Sequence, residues 1–438
     1  MKKLFVMLIA TTALAGCATT GPAPVAVAEI APLEAPTPPP PVPAAKLGSF
    51  GFDQAGMDST VLPGNNFYQY ANGVWAKNTP IPADKANYGM FGLLDDLSKE
   101  RTRTIVDEAA KDPASKIGTA YTTYLDTAAI EAKGLGPVQS WLDEIQALSN
   151  RAGYAALVAK AGRRGIGGPF GFYVGQDDKS PDRYVAQMGQ SGIGMPDRDY
   201  YLSTDAKIVA ARAQYLTHLT NVLTLAAQPN AAARAKAILD HETAIARAQW
   251  TRTESRDATK TYNLMPVARL AAMAPGFDFA RYLADSGVTV SEVIVAQPTA
   301  FTGIARVVSR APLQALKDQL MVRTLDGYAS VLPVAFDKET FAFYGTALSG
   351  TPEQEVRWKR GVAFVTGSLA DDVSQIYVER YYPPETKAKA DELVRNVVAA
   401  MGRRIDGLTW MAPATKVRAR AKLANFTTKI GYPDRWQD

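Results

Sequence analysis

The sequence predicts a mainly α protein: a multi-helix lobe with one short β-hairpin, preceded by a lipoprotein-type export signal and a Pro-rich tether. Three observations predict it. Apolar residues recur at spacings of three and four along several long segments, which is the period of a helix with one buried face. One stretch, Gly167 to Met188, alternates with a period of two. The first 46 residues carry a targeting pattern and a proline-rich run, and bury no core.

In chain order, Lys2 and Lys3 give a positive start and Leu4 to Ala15 a short apolar run. That run falls short of the roughly 20 apolar residues a membrane-spanning helix needs. Leu14-Ala15-Gly16-Cys17 follows and resembles the lipobox of bacterial lipoproteins, whose cysteine is acylated and becomes the new N-terminus. The expectation is a signal peptide over residues 1–16 and a membrane lipid on Cys17. Ala18 and Thr19 lack the Asp that retains lipoproteins in the inner membrane. By that resemblance the bacterial outer membrane is favoured, with the body facing the periplasm. Cys17 is the one cysteine in 438 residues, so no disulfide and no thiolate metal site can form within the chain. Residues 17–46 are Pro, Ala and Val with almost no charge, including Pro38 to Pro41. At about 3.1 Å per residue, such a tether spans up to ~90 Å.

Residues 47–438 read as one helical domain. The whole chain is 47% hydrophobic and 21% charged, with a net charge of +5. So small a charge, with no long run of one sign, implies no nucleic-acid partner. Ile208, Ala211, Tyr215, Leu219 and Val222 predict a helix from about Thr204 to Ala227, ended by Pro229. Asn230 is placed to cap the next, with Ile238, His241 and Ile245 in line. Ala390, Val394, Val397, Met401 and Ile405 form a long stripe entered through Pro383-Pro384, and a last basic helix runs from Pro413 to about Phe426. These stripes are expected to bury against neighbouring helices. The hairpin rests on Phe170, Phe172 and Val174, the breakers Asp177 to Asp182, and a second arm from Tyr184 to Met188.

No catalytic constellation emerges from the residues themselves. The chain has two histidines, His218 and His241. His241-Glu242-Thr243-Ala244-Ile245 places Ile245 where the zinc motif H-E-x-x-H needs its second imidazole one turn on. Both histidines fall in line with apolar residues and read as hydrogen-bonded core residues. Gly162 to Gly168 is glycine-rich and basic but lacks the Lys-Ser/Thr pair of a phosphate loop, so it reads as a loop into the hairpin. Asp95-Asp96 and Asp371-Asp372 read as solvated helix faces. Neither catalytic nor metal-ligating residues are predicted.

Several blocks resemble the neprilysin family of zinc metallopeptidases. They run from Asn66-Phe67-Tyr68-Gln69-Tyr70-Ala71-Asn72-Gly73-Val74-Trp75 and Tyr88-Gly89-Met90-Phe91 through Asp177-Asp178-Lys179 and Gly194-Met195-Pro196-Asp197-Arg198-Asp199-Tyr200-Tyr201. Tyr124-Leu125-Asp126, Arg256-Asp257, Tyr262-Asn263, Arg357-Trp358-Lys359-Arg360, Leu408-Thr409-Trp410-Met411 and Lys429-Ile430-Gly431-Tyr432-Pro433 complete them, in family order. The resemblance implies two lobes around an internal cavity, with this chain forming most of the helical lobe that screens substrates by size. It also implies that the zinc and its H-E-x-x-H belong to a later lobe, so no cofactor is expected in residues 1–438 and zinc only in a complete enzyme. The missing lobe would be the intramolecular partner, and peptides the substrates. Asn87, Tyr88 and Phe91 are candidates to line the cavity. Neprilysin has an arginine at the position of Asn87, and the neutral amide implies weak preference for free C-terminal carboxylates. Trp75, Asp199 and Trp358 are weighed as cavity residues against plain packing, which is favoured. The alternative reading is a non-enzymatic lipoprotein that binds peptides or a partner.

Overall fold

The computed structural model describes residues 54–437; the predicted signal over 1–16, Cys17 and the tether over 17–46 lie outside them. By contact the chain divides into two compact units, residues 1–80 and 81–438.

In the first unit, a short turn at Gln54–Gly56 precedes α1 (Phe67–Asn78). Asn66 starts this helix by accepting a hydrogen bond from the Gln69 amide at 3.0 Å. The Asp58 amide donates to the Tyr70 carbonyl at 2.8 Å, which draws the preceding loop across Gly73. A Cβ on Gly73 would stand 2.7 Å from the Asp58 side chain, so the glycine is what permits the approach.

The second unit opens with α2 (Met90–Ala109), α3 (Lys116–Leu125), α4 (Thr127–Lys133), α5 (Gly136–Ala147) and α6 (Tyr154–Gly162). The predicted hairpin follows as β1 (Phe170–Asp177) and β2 (Ser180–Gln190), antiparallel, with Phe172 opposite Met188. The Gly162–Gly168 segment is the loop into it. Next come α7 (Asp199–Leu202), α8 (Ala206–Leu225) and α9 (Ala231–Ala248). Helix α8 lies inside the expected span, started by Asp205, whose carboxylate accepts from the Lys207 amide at 2.9 Å. Its buried face is Ala211, Tyr215, His218, Leu219, Val222 and Leu223. Asn230 does not cap α9 as expected: it sits at φ 56°, in the left-handed region, and its side chain caps nothing. That conformation, shared with Ala227 at φ 52°, closes the tight α8–α9 turn in place of the extended backbone a capping residue usually adopts.

Beyond α10 (Ala258–Thr261) the chain adds two strands that periodicity did not reveal, β3 (Leu264–Pro266) and β4 (Glu292–Val295), separated by α11 (Val267–Met273) and α12 (Phe279–Asp285). The sheet order is β1-β2-β4-β3, with β2 and β4 parallel. Then α13 (Pro298–Arg310), α14 (Leu313–Gly327) and α15 (Val334–Thr340) lead into a π-helical stretch, Phe341–Leu348. Phe170, Phe277, Phe279 and Phe301 meet with ring centroids 4.7–5.8 Å apart at the centre of the main core.

A second, smaller core joins α2 and α3 to α16 (Arg357–Ser368) and α17 (Ala370–Tyr381) through Val106, Ile117, Tyr121, Val362, Val365 and Val373. The last helices are α18 (Pro384–Gly407) and α19 (Pro413–Ala424). Here the expectation of burial fails. Leu393, Val397 and Met401 lie on the exposed side of α18, with Leu393 63% and Val397 59% accessible; Ala390 and Val394 are half-buried, and Ile405 alone of the stripe is buried. The reason is local: among the described elements α18 packs substantially only on α19. The final residues fold back, Tyr432 edge-on to Tyr382 at 5.7 Å and Lys387 donating to the Tyr432 carbonyl at 2.9 Å. Among the described residues no helix is long and apolar enough to cross a membrane.

Candidate functional site

Most of the motif blocks converge on buried polar junctions. The largest surrounds Glu242, on α9, which is 1% exposed. Its Oε2 accepts from the hydroxyls of Tyr201 and Tyr215 at 2.7 and 2.9 Å and from the Gly194 amide at 3.2 Å. Its Oε1 accepts from Gln319 at 2.7 Å and from the Arg323 guanidinium at 3.2 Å. Five donors leave the carboxylate fully satisfied without water. The loop at 194–201 is shaped by the same junction, because the Tyr201 hydroxyl accepts from the Gly194 and Met195 amides, both at 2.9 Å. A Cβ on Gly194 would fall 2.0 Å from the Tyr215 hydroxyl, so no other residue fits there. Burial, and then the Glu242 charge, push both tyrosines well above the usual phenol range.

His241 is buried beside this hub, yet neither ring nitrogen has a partner. The expectation of a hydrogen-bonded core histidine therefore fails for it. Burial pushes its pKa down to about 4, so the ring is neutral at pH 7. His218 meets that expectation. Its Nδ1 lies 3.2 Å from Glu339 and its Nε2 3.2 Å from Asp326, with the ring stacked on Phe343 at 5.1 Å. Burial alone would lower its pKa; the two carboxylates outweigh burial and push it up to about 9. The imidazolium thus bridges α8 to α14 and α15.

These residues do not fit a zinc ion. Ile245, fully buried, stands where a second imidazole would be needed, and every lone pair of Glu242 faces a donor already. Among the described residues no three His, Cys, Asp or Glu side chains converge as a metal site.

Several other blocks act alike. Asp177 is buried and accepts from the Lys179 amide, Arg183 and the Tyr262 hydroxyl at 2.8–3.0 Å. The Lys179 amide above all, against the opposing effect of burial, holds this carboxylate down at about 2. Arg360 grips both oxygens of Asp337 at 2.8 and 2.9 Å, while Arg357 donates to the Tyr124 carbonyl at 2.6 Å. Trp358 is covered by the Arg103 guanidinium, 4.4 Å from the ring centre. Asp199 borders a polar cavity of about 420 Å³ shared with Arg198, Trp250 and Arg252, and Trp75 is half-buried in the first unit.

The three sequence-chosen cavity residues fall at the start of α2. Asn87 is exposed, Tyr88 half-buried, and Phe91 89% exposed. The Tyr88 hydroxyl donates to Asp96 at 3.3 Å, and Lys85 and Lys359 pair with that carboxylate at 3.0 and 3.2 Å. Burial raises the Asp96 pKa, but the two ammonium groups more than offset it and leave it below the usual range. Asp96 is thus a shared anchor between α2 and α16 rather than part of a solvated face. Periodicity missed the Glu242 hub; the signal for it was a Glu on an apolar helix face beside His241, which has no place in a core unless donors surround it.

The geometry agrees with what comparison with known proteins finds. The family model described as Peptidase family M13, N-terminal part, matches residues 63–433. Human neprilysin is 25% identical over 417 residues, covering 86% of this chain and 55% of that one. Mouse membrane metallo-endopeptidase-like 1 is 25% identical over 413 residues, covering 86% and 53%. The chain thus spans about half the length of the curated relatives it matches. Among solved structures, the Mycobacterium tuberculosis zinc metalloprotease Zmp1, crystallised with an inhibitor, superposes with a TM-score of 0.82 at 33% identity, over 88% of this chain and 60% of that one. PepO from Lactobacillus rhamnosis has the same fold, with a TM-score of 0.72 at 20% identity over 85% and 60%. The chain belongs to peptidase family M13, as an N-terminal region of the neprilysin-like kind.

Proposed function

We propose that this chain is the substrate-screening region of a lipid-anchored, neprilysin-like zinc metalloendopeptidase acting on peptides. The observation that carries the reading is the apolar face of α18 and α19, where Leu393, Val397, Met401, Val417 and Trp410 stand open to solvent. Large apolar side chains left open along two helices and their connection mark a surface meant to be covered. A thermolysin-like lobe bearing the zinc motif is the partner proposed for it. Asn87, Tyr88 and Phe91 would then face the enclosed space, with Asn87 offering an amide to passing peptides. The chain over 1–438 alone binds no stoichiometric zinc and cleaves no peptide. Metal analysis of the purified chain together with a peptidase assay tests this; tight zinc with turnover would overturn it.

The anchor is proposed at Cys17, with 1–16 removed, 17–46 as spacer and the outer membrane as its place, facing the periplasm. Mass spectrometry of the N-terminal peptide should find diacylglycerol on Cys17, and Cys17→Ser should release the protein from membranes. An unmodified Cys17 would refute the anchor. The same open face favours a second reading, a periplasmic lipoprotein that binds a peptide or partner without catalysis. The DNA beyond codon 438 separates the two: continuation into H-E-x-x-H supports the enzyme, and an authentic stop followed by unrelated sequence supports the binder.

A further inference from the structure

A cavity of about 690 Å³ opens between α3, α4, the start of α5 and α16, away from the Glu242 hub and from the face of α18. Its volume lies in the range of small-molecule sites. Its walls are apolar: Tyr124 stacks on Phe364 with centroids 5.0 Å apart, and Ile130, Val331 and Leu369 face the same space. The charged residues in its lining are Lys116 and Lys133, and no acidic side chain lines it.

Neither ammonium has a carboxylate partner among the described residues, so both charges at the cavity are uncompensated there. Lys116 is also the first residue of α3, where the helix dipole disfavours a cation. That place costs the helix a little, and no carboxylate among the described residues offsets it. Thr119 and Thr123 add hydroxyls that donate to no protein group among the described residues. An apolar pocket with two unpaired cations and free hydroxyls at one site has the complement of a molecule with an apolar body and a single anionic head.

We propose that this cavity binds a long-chain carboxylate or an equivalent anionic acyl lipid, with the chain against Tyr124, Phe364 and Leu369 and the head held by Lys116 and Lys133. The reading is independent of any peptidase activity. The test is fluorescence titration of the whole chain with cis-parinaric acid, followed by competition with palmitate, methyl palmitate and phosphatidylglycerol vesicles. Saturable one-to-one binding is expected, with displacement by palmitate if a free acid is the ligand, or by the vesicles if a membrane lipid is. Methyl palmitate should compete at least about tenfold more weakly than palmitate, and Lys116→Ala with Lys133→Ala should weaken the acid by about tenfold. Thr123→Trp, at an exposed position on the rim, should abolish binding by filling the space. Absence of saturable binding, equal competition by acid and ester, or unchanged affinity in either variant would overturn the proposal; both lysines are exposed, so that variant should fold like the parent.

Discussion

The hub around Glu242 and the outer face of α18 and α19 each draw on a motif block, Gly194 and Tyr201 at the one and Trp410 at the other, yet they end in opposite states. At the hub both oxygens of the buried Glu242 carboxylate find donors, from the 194–201 loop, α8 and α14. On the outer face Trp410, in an equally distinctive block, remains 76% exposed. The difference separates residues that finish their contacts among the described residues from residues that stay open there. A motif alone does not tell the two apart; local packing does.

Removing Glu242 should break the closed side of that contrast most severely. Glu242→Ala strands Arg323, Gln319 and two tyrosine hydroxyls in the core, and loss of one member of a buried charge pair costs about 3–5 kcal/mol. Urea unfolding of the chain reads it; a loss under 1 kcal/mol would mean that water substitutes freely at the hub. Gly194→Ala should follow, at about 1–3 kcal/mol, because the new methyl must displace the Tyr215 hydroxyl.

The His218 bridge sharpens the contrast with pH. Its folded pKa, about 9, lies above the ordinary value of 6.5. Its stabilisation is therefore fully present below pH 6.5 and lost as pH rises through 9. The melting temperature should fall between pH 7 and 10, and His218→Gln should flatten that part of the profile. An equal fall in the variant would place the titration elsewhere. On the open side, Leu393→Glu and Val397→Lys should change stability by less than about 0.5 kcal/mol, as surface changes do. They should nonetheless reduce self-association in sedimentation runs. A large loss of stability would show that the α18 face is already covered.

Much of the fold was legible in the sequence. Helix α8 and the β1–β2 hairpin follow from spacing alone, because each has one buried face and clear breakers at its ends. Strands β3 and β4 were not legible: three and four residues are too few to show alternation, and β3 ends in Pro266. The α18 stripe misled for a different reason. Periodicity reports that a face is apolar, and it carries no information on whether this chain holds what covers it. At the hub, the reading of His241-Glu242 as a failed zinc fragment was sound, but it stopped before asking what a carboxylate on an apolar face requires. Its donors come from positions up to 81 residues away, a separation that no local pattern encodes.

The parallel pairing of β2 with β4 has a consequence for the order of folding. Ala186 pairs with Val293, so the inner edge of the hairpin has no neighbour until more than a hundred further residues have been made and brought back. Contacts of that separation form slowly, since the intervening loop must close before they stabilise anything. Until then Val185 to Met188 present an unsatisfied, apolar strand edge, the kind that pairs with whatever chain is nearby. The segment most exposed to misassembly during folding is therefore the one that ends up at the centre of the finished sheet.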